Sequence, residues 1–135
     1  MKRIGLTGGI GVGKTYVSKI FKNLGYPVFN ADTQAKNCLI EDKELIQKIK
    51  NTFGSTIYKA GELQKKELAN IVFNNIQKLD QLNKLVHPVV KKRFSDWCKK
   101  QDASVVIKEA AILFESDSHL GLDAVICISC PEAIC

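Results

Sequence analysis

Gly8-Gly9-Ile10-Gly11-Val12-Gly13-Lys14-Thr15 is the stretch whose reading decides the fold. It fits G-x-x-x-x-G-K-[ST], the loop pattern that cradles phosphate groups. The flanks supply the context that this pattern requires. Arg3-Ile4-Gly5-Leu6-Thr7 is short and apolar enough for a buried strand. Beyond the loop, Val17, Ile20, Phe21 and Leu24 recur at i, i+3, i+4 and i+7, the spacing of one helical face. Glycine reaches backbone angles closed to other residues, so the loop can turn its N–H groups inward around an anion. A helix N-terminus adds partial positive charge at the same point. In this reading Lys14 reaches the β- and γ-phosphates of a nucleotide, and the Thr15 hydroxyl ligates Mg²⁺. Gly8, Gly9, Gly11, Val12, Gly13, Lys14, Thr15 and Tyr16 form the expected nucleotide-binding set. A merely flexible glycine-rich turn is the plain alternative.

Outward from the loop, the bounds are those of a globular domain. The 135 residues are 45% hydrophobic and 25% charged, ordinary values for a chain that folds around its own core. No apolar run reaches 18 residues, so no membrane span is expected. Met1-Lys2-Arg3 before apolar residues has a faint likeness to a signal peptide. The glycine density and the lack of a cleavage site argue against one, and a cytoplasmic location is expected.

Twenty Lys and Arg against 14 Asp and Glu give a net charge of +6, which suits a polyanionic ligand. Lys65-Lys66, Lys91-Lys92-Arg93 and Lys99-Lys100 fall on expected helices, where they read as solvated faces. No aromatic-interleaved basic motif accompanies them, so no nucleic-acid partner is expected. Cys127, Cys130 and Cys135 give C-x-x-C-x4-C, but Cys127 lies in an apolar run and no further Cys or His cluster follows. Neither a metal site nor a disulfide framework is expected from the five cysteines.

Taken in order, the first helix should stop at Gly25, a natural residue for a helix C-terminus. Pro27-Val28-Phe29 reads as a second strand leading to Asn30-Ala31-Asp32. Asp32 falls just past its end, where ligands bind in open α/β sheets, and it also suits a helix N-cap. From Thr33 to about Gln101 the pattern is almost entirely helical, with one stripe at Leu45, Ile46, Ile49 and Phe53 and a turn at 59–62. A helix begun by Leu68, Ile71 and Val72 and continued by Leu79, Leu82, Leu85 and Val86 should end at His87-Pro88, and Val90, Phe94, Trp97 and Cys98 mark the next one. His87 at that junction reads as a local hydrogen-bonding residue or a substrate contact. So much helix exceeds a simple crossover and suggests an insertion that holds a second substrate.

Ser104-Val105-Val106-Ile107-Lys108 reads as the third strand, with Glu109 and Glu115 after it as structural or ligand-facing carboxylates. Residues 123–129 read as a fourth strand, and Pro131-Glu132 opens a helix.

At this point the residues support a resemblance. Gly5 through Thr15, Ala31-Asp32, Leu85-Val86-His87-Pro88-Val89, Glu109 through Glu115 and Asp123 through Glu132 together resemble the dephospho-coenzyme A kinase family, over the whole chain. The resemblance implies an α/β fold, a parallel sheet of the P-loop NTPase type with strand order 2-3-1-4. It implies a nucleotide-binding core at 1–32 and 102–135 and a helical substrate-binding domain at 33–101. It further implies phosphorylation of the ribose 3′-hydroxyl of dephospho-coenzyme A by ATP with Mg²⁺. Lys14 and Asp32 would be catalytic, Asp32 as general base, and Asp32, His87 and Glu115 would contact the substrate.

Two local departures stand out. Many members have Asp where this chain has Asn30, and Pro where it has Ala111. Members also continue for roughly half again this length, adding an arginine-bearing lid, a fifth strand and an adenine-contacting loop. A chain without arginine after Arg93 is therefore expected to be an N-terminal fragment, or the product of a reading frame or gene that ends early. The alternatives are a non-catalytic nucleotide-binding remnant, another P-loop small-molecule kinase, or a nucleic-acid protein using the basic helices. No oligomeric state follows from the sequence.

Overall fold

The computed structural model describes residues 1–8, 12–111 and 121–128. They divide into two compact units, Met1–Asp32 with Arg93 onward, and Thr33–Lys92.

The first unit is a four-stranded sheet in which every pairing is parallel. Its strands are β1 (Lys2–Gly8), β2 (Val28–Asn30), β5 (Val105–Glu109) and β6 (Ala124–Ile128), in the order β2-β5-β1-β6. Counting only these four, that is the expected 2-3-1-4. β5 lies between β2 and β1, and Val106 through Glu109 are all buried. Leu6, Val106 and Ile107 are fully buried. Phe29 packs on Phe94 and Trp97 with ring centroids 5.2 and 5.4 Å apart. Lys108, itself buried, sets its ammonium 4.9 Å from the centre of the Phe94 ring, and the Arg3 guanidinium lies 5.8 Å from the same ring.

Helix α1 (Val12–Asn23) ends as its glycine foretold. Gly25 takes φ +92°, its N–H donates to the Lys22 carbonyl, and the Tyr26 N–H donates to the Phe21 carbonyl. Those two bonds satisfy carbonyls that the helix end would leave open. The inward face differs from the expected one. Ile20 and Leu24 are exposed, whereas Ser18 is buried and Lys14 and Phe21 are half-buried. That face carries the polar contacts of Lys14 and Ser18 instead of two of the expected apolar side chains.

The second unit carries α2 (Ala31–Glu41) beyond Asp32, α3 (Lys43–Phe53), α4 (Lys65–Phe73) and most of α5 (Ile76–Lys99). Asp42 caps α3 by accepting the Leu45 N–H at 2.9 Å. Leu45, Ile49, Ile57 and Cys38 are buried to within 1% of completely. The Tyr58 hydroxyl donates to the Leu39 carbonyl at 2.7 Å, and burial, with Cys38 nearby, pushes that phenol above its ordinary pKa.

Three expectations change here. The turn at 59–62 is the tip of a hairpin, β3 (Tyr58–Lys59) against β4 (Glu62–Leu63). Ala60 and Gly61 both have positive φ, the signature of a type I′ turn. Two-residue strands are too short to show alternation in sequence. The break expected at His87-Pro88 is absent, because α5 runs through Pro88. Val86, Val90, Phe94 and Cys98 are buried at four-residue spacing on both sides of the proline, and that packing outweighs one lost backbone bond. The pattern expected to run on from Leu68 is broken instead at 74–75, where α4 has ended at Phe73 and α5 starts afresh at Ile76, with Asn75 accepting the Lys78 N–H.

Candidate active site

Three strand ends meet at the carboxyl edge of the sheet. The register sets Leu6 beside Glu109 and Asn30 beside Glu109, so β1, β5 and β2 finish within a residue or two of one another. Ligands bind at this edge in open parallel sheets. Gly8, the last residue of β1, has a reason to be glycine beyond loop freedom. A Cβ there would stand 2.6 Å from the Ile128 carbonyl oxygen of β6.

Lys14 and Asp32 come together here. The Lys14 ammonium lies 3.9 Å from Asp32 Oδ2, with the lysine side chain 13% and the aspartate side chain 52% exposed. At 3.9 Å and with the aspartate half exposed, the pair adds little stability. Asp32 sits in the first turn of α2, one residue after its start, and its Oδ2 accepts the Ala111 N–H at 3.0 Å.

Behind this pair is a buried carboxylate. Glu109 is 6% exposed, and its Oε2 accepts from Ser18 Oγ at 3.2 Å and from Asn30 Nδ2 at 3.4 Å. A charge taken out of water requires such donors. The two bonds tie β5 to α1 and to the end of β2. Thr7 Oγ1 donates to the Ala111 carbonyl at 3.0 Å, fastening the chain after β5 to β1. An ammonium and a carboxylate at the carboxyl edge of a parallel sheet can offset phosphate charge and accept a proton.

The sequence profile of the dephospho-CoA kinase family matches residues 2–134. The chain belongs to that family. Dephospho-CoA kinase of Chlorobium chlorochromatii is 40% identical over 93% of this chain and 63% of its own length. That of Porphyromonas gingivalis is 38% identical over 99% of this chain and 66% of its own. The crystal structure of TT1252 from Thermus thermophilus superposes with a TM-score of 0.82 at 31% identity, over 96% of this chain and 66% of that one. The Campylobacter jejuni dephospho-CoA kinase shares the fold at a TM-score of 0.67 and 23% identity, over 97% of this chain and 66% of that one. The chain thus spans about two thirds of the length of these dephospho-CoA kinase relatives.

Other expected site residues are scattered in what can be said of them. Thr15 and Tyr16 are exposed on the first turn and a half of α1. His87 is half-buried in the middle of α5, within the helical unit. Gly9, Gly11 and Glu115 lie outside the described residues, as do the Pro131-Glu132 helix start and Cys130 and Cys135; of Val12 and Gly13 only the backbone, at the start of α1, is described. Sequence reasoning missed Ser18, which lies one turn beyond Lys14 on the same face and looked like any polar helix residue. It also assigned nothing to Asn30 or Ala111. No helix among the described residues is long and apolar enough to cross a membrane.

Proposed function

We propose that the protein transfers the γ-phosphoryl group of ATP to the ribose 3′-hydroxyl of dephospho-coenzyme A, releasing coenzyme A and ADP. The observation that carries this reading is the Lys14–Asp32 pair at the carboxyl edge of the sheet, in a chain of the dephospho-CoA kinase family. The hydroxyl oxygen forms the new bond to the γ-phosphorus as the bond to the β-phosphate oxygen breaks. Asp32 accepts the hydroxyl proton, and Lys14 offsets charge on the transferring group. The loop from Gly8 to Thr15, continued by Tyr16, holds the nucleotide.

Thr15 fits Mg²⁺, since its exposed hydroxyl follows Lys14 directly and Mg²⁺ takes few protein ligands beside phosphate oxygens and water. When bound there, the cation would supply charge neutralisation at the phosphates. The helical unit, with His87, and Glu115 are assigned to the coenzyme moiety. A cytoplasmic location suits such a soluble substrate pair.

The test is product analysis of the full chain with MgATP and either dephospho-coenzyme A or a panel of nucleoside monophosphates. Coenzyme A formation is expected, and Asp32→Asn should cut kcat by about 10²-fold while MgATP binding is retained. Turnover of a monophosphate with dephospho-coenzyme A untouched overturns the reading.

A further inference from the structure

The first turns of α1 have two flanks of different character. Lys14 and Ser18 face inward, where Lys14 approaches Asp32 and Ser18 meets Glu109. A helix turns about 100° per residue, so Tyr16, two places beyond Lys14, stands on nearly the opposite flank. It is 63% exposed. Among the described residues its ring packs on no other aromatic ring, whereas Phe21, farther along the same helix, meets Tyr26 at 6.2 Å. Ile20 and Leu24 continue the outward row, but about 6 and 12 Å farther from the loop. Aromatic side chains on helices lean back toward the N-terminus and cover the turn before their own Cα. That rule carries the Tyr16 ring over the start of α1, which follows the glycine-rich loop directly.

We propose that the Tyr16 ring is a stacking platform for the base of the nucleotide donor. This deepens the phosphoryl-transfer reading above and rests on it, since that reading seats the triphosphate on the loop ahead of Tyr16. Transfer proceeds in line, with the attacking and leaving oxygens on opposite sides of the γ-phosphorus. Asp32 marks the attacking side, at the inward flank. The leaving ADP therefore extends away from Asp32, toward the outward flank where Tyr16 stands. Lys14 and Thr15 address phosphate and metal, and Tyr16 adds a contact that depends on the base. An exposed ring offers its π-face to any base, and the larger purine ring system covers more of it than a pyrimidine does.

Calorimetry with two probes tests this: MgATP, and magnesium tripolyphosphate, which has the phosphates but no base. In the full chain Tyr16→Ala should weaken MgATP binding about tenfold and leave tripolyphosphate within about twofold of wild type. Tyr16→Phe keeps the ring and should bind both probes as wild type does. Wild type should bind MgATP more tightly than MgCTP, and Tyr16→Ala should narrow that gap. Retained tripolyphosphate binding also shows that the variant has folded. Equal losses for MgATP and tripolyphosphate in Tyr16→Ala, or no loss for MgATP, overturn the stacking role and leave Tyr16 as the first member of an apolar row. A wild-type chain that binds neither probe overturns the nucleotide reading itself, and the tripolyphosphate arm keeps that result distinct from a failure at Tyr16.

Discussion

β5 and β6 flank β1 on opposite sides, run parallel to it and have five residues each, yet they live in different surroundings. β5 includes a lysine and a glutamate, and Val106 through Glu109 are all buried. β6 reads Ala-Val-Ile-Cys-Ile without a charge, and Ala124, Ile126 and Cys127 are exposed. Hydropathy alone would rank them the other way. The difference is position: β5 has β1 on one side and β2 on the other, while among the described residues β6 pairs with β1 alone. A central strand can bury charge provided each charged group meets a partner, as Lys108 meets Phe94 and Glu109 meets Ser18 and Asn30.

The contrast is broken most directly by matched truncations. Ile107→Ala in β5 should cost about 2–5 kcal/mol, because it opens a cavity in a fully buried site. Ile126→Ala in β6, at a residue 38% exposed, should cost about 1 kcal/mol or less. Urea midpoints measure both, and equal losses would erase the distinction. Next in size, Glu109→Ala removes the acceptor of the buried Ser18 hydroxyl and of the Asn30 amide and should cost about 1–3 kcal/mol. Glu109→Gln keeps an oxygen in place and should cost less, so similar values for the two would deny Glu109 its bonding role.

Gly8→Ala probes the other seam. Its Cβ would stand 2.6 Å from the Ile128 backbone oxygen, so the strands must move apart and about 1–3 kcal/mol is expected. A loss as large as that of Ile107→Ala would mean β6 is held as firmly as β5. The smallest effect is chemical. Cys127 on β6 is exposed, whereas Cys98 and Cys38 are buried. Burial pushes the Cys98 thiol above its ordinary pKa, with Arg3 and Lys108 pulling partly back. Its thiolate therefore appears at higher pH than that of an open thiol. Mass mapping after brief alkylation near pH 8 should find Cys127 modified about tenfold faster than Cys98, with the gap narrowing as pH rises.

The sheet strands were legible because each is an apolar run bounded by turn residues. The Schellman-type end at Gly25 was legible for the same local reason, a glycine where left-handed backbone is needed. The unbroken α5 was not, since a proline rule weighs one backbone bond and cannot see Val86, Val90, Phe94 and Cys98 packed around it. At the site, Lys14 was legible from the loop motif and Asp32 from its place after a strand. Their 3.9 Å approach was beyond sequence reading, as was the Ala111 contact, because every residue except proline owns an N–H and only the fold says where it points. Glu109 stood out as a carboxylate at a strand end, but its partner Ser18 did not, because the two stand 91 residues apart.

β2 ends at Asn30 and α2 begins at Ala31, with no residue between. A helix advances about 100° per residue, so one inserted amino acid at this joint would swing the Asp32 carboxylate by more than a quarter turn away from Ala111 and Lys14. Most connections absorb a change of length by bulging outward; the hairpin tip at Ala60-Gly61 is such a place. The Asn30–Ala31 joint has no slack to absorb anything. Substitutions there alter chemistry one side chain at a time, whereas a single-codon insertion or deletion would throw the whole following helix out of phase. Length variants of this protein should therefore collect at 60–61 and be missing at 30–31.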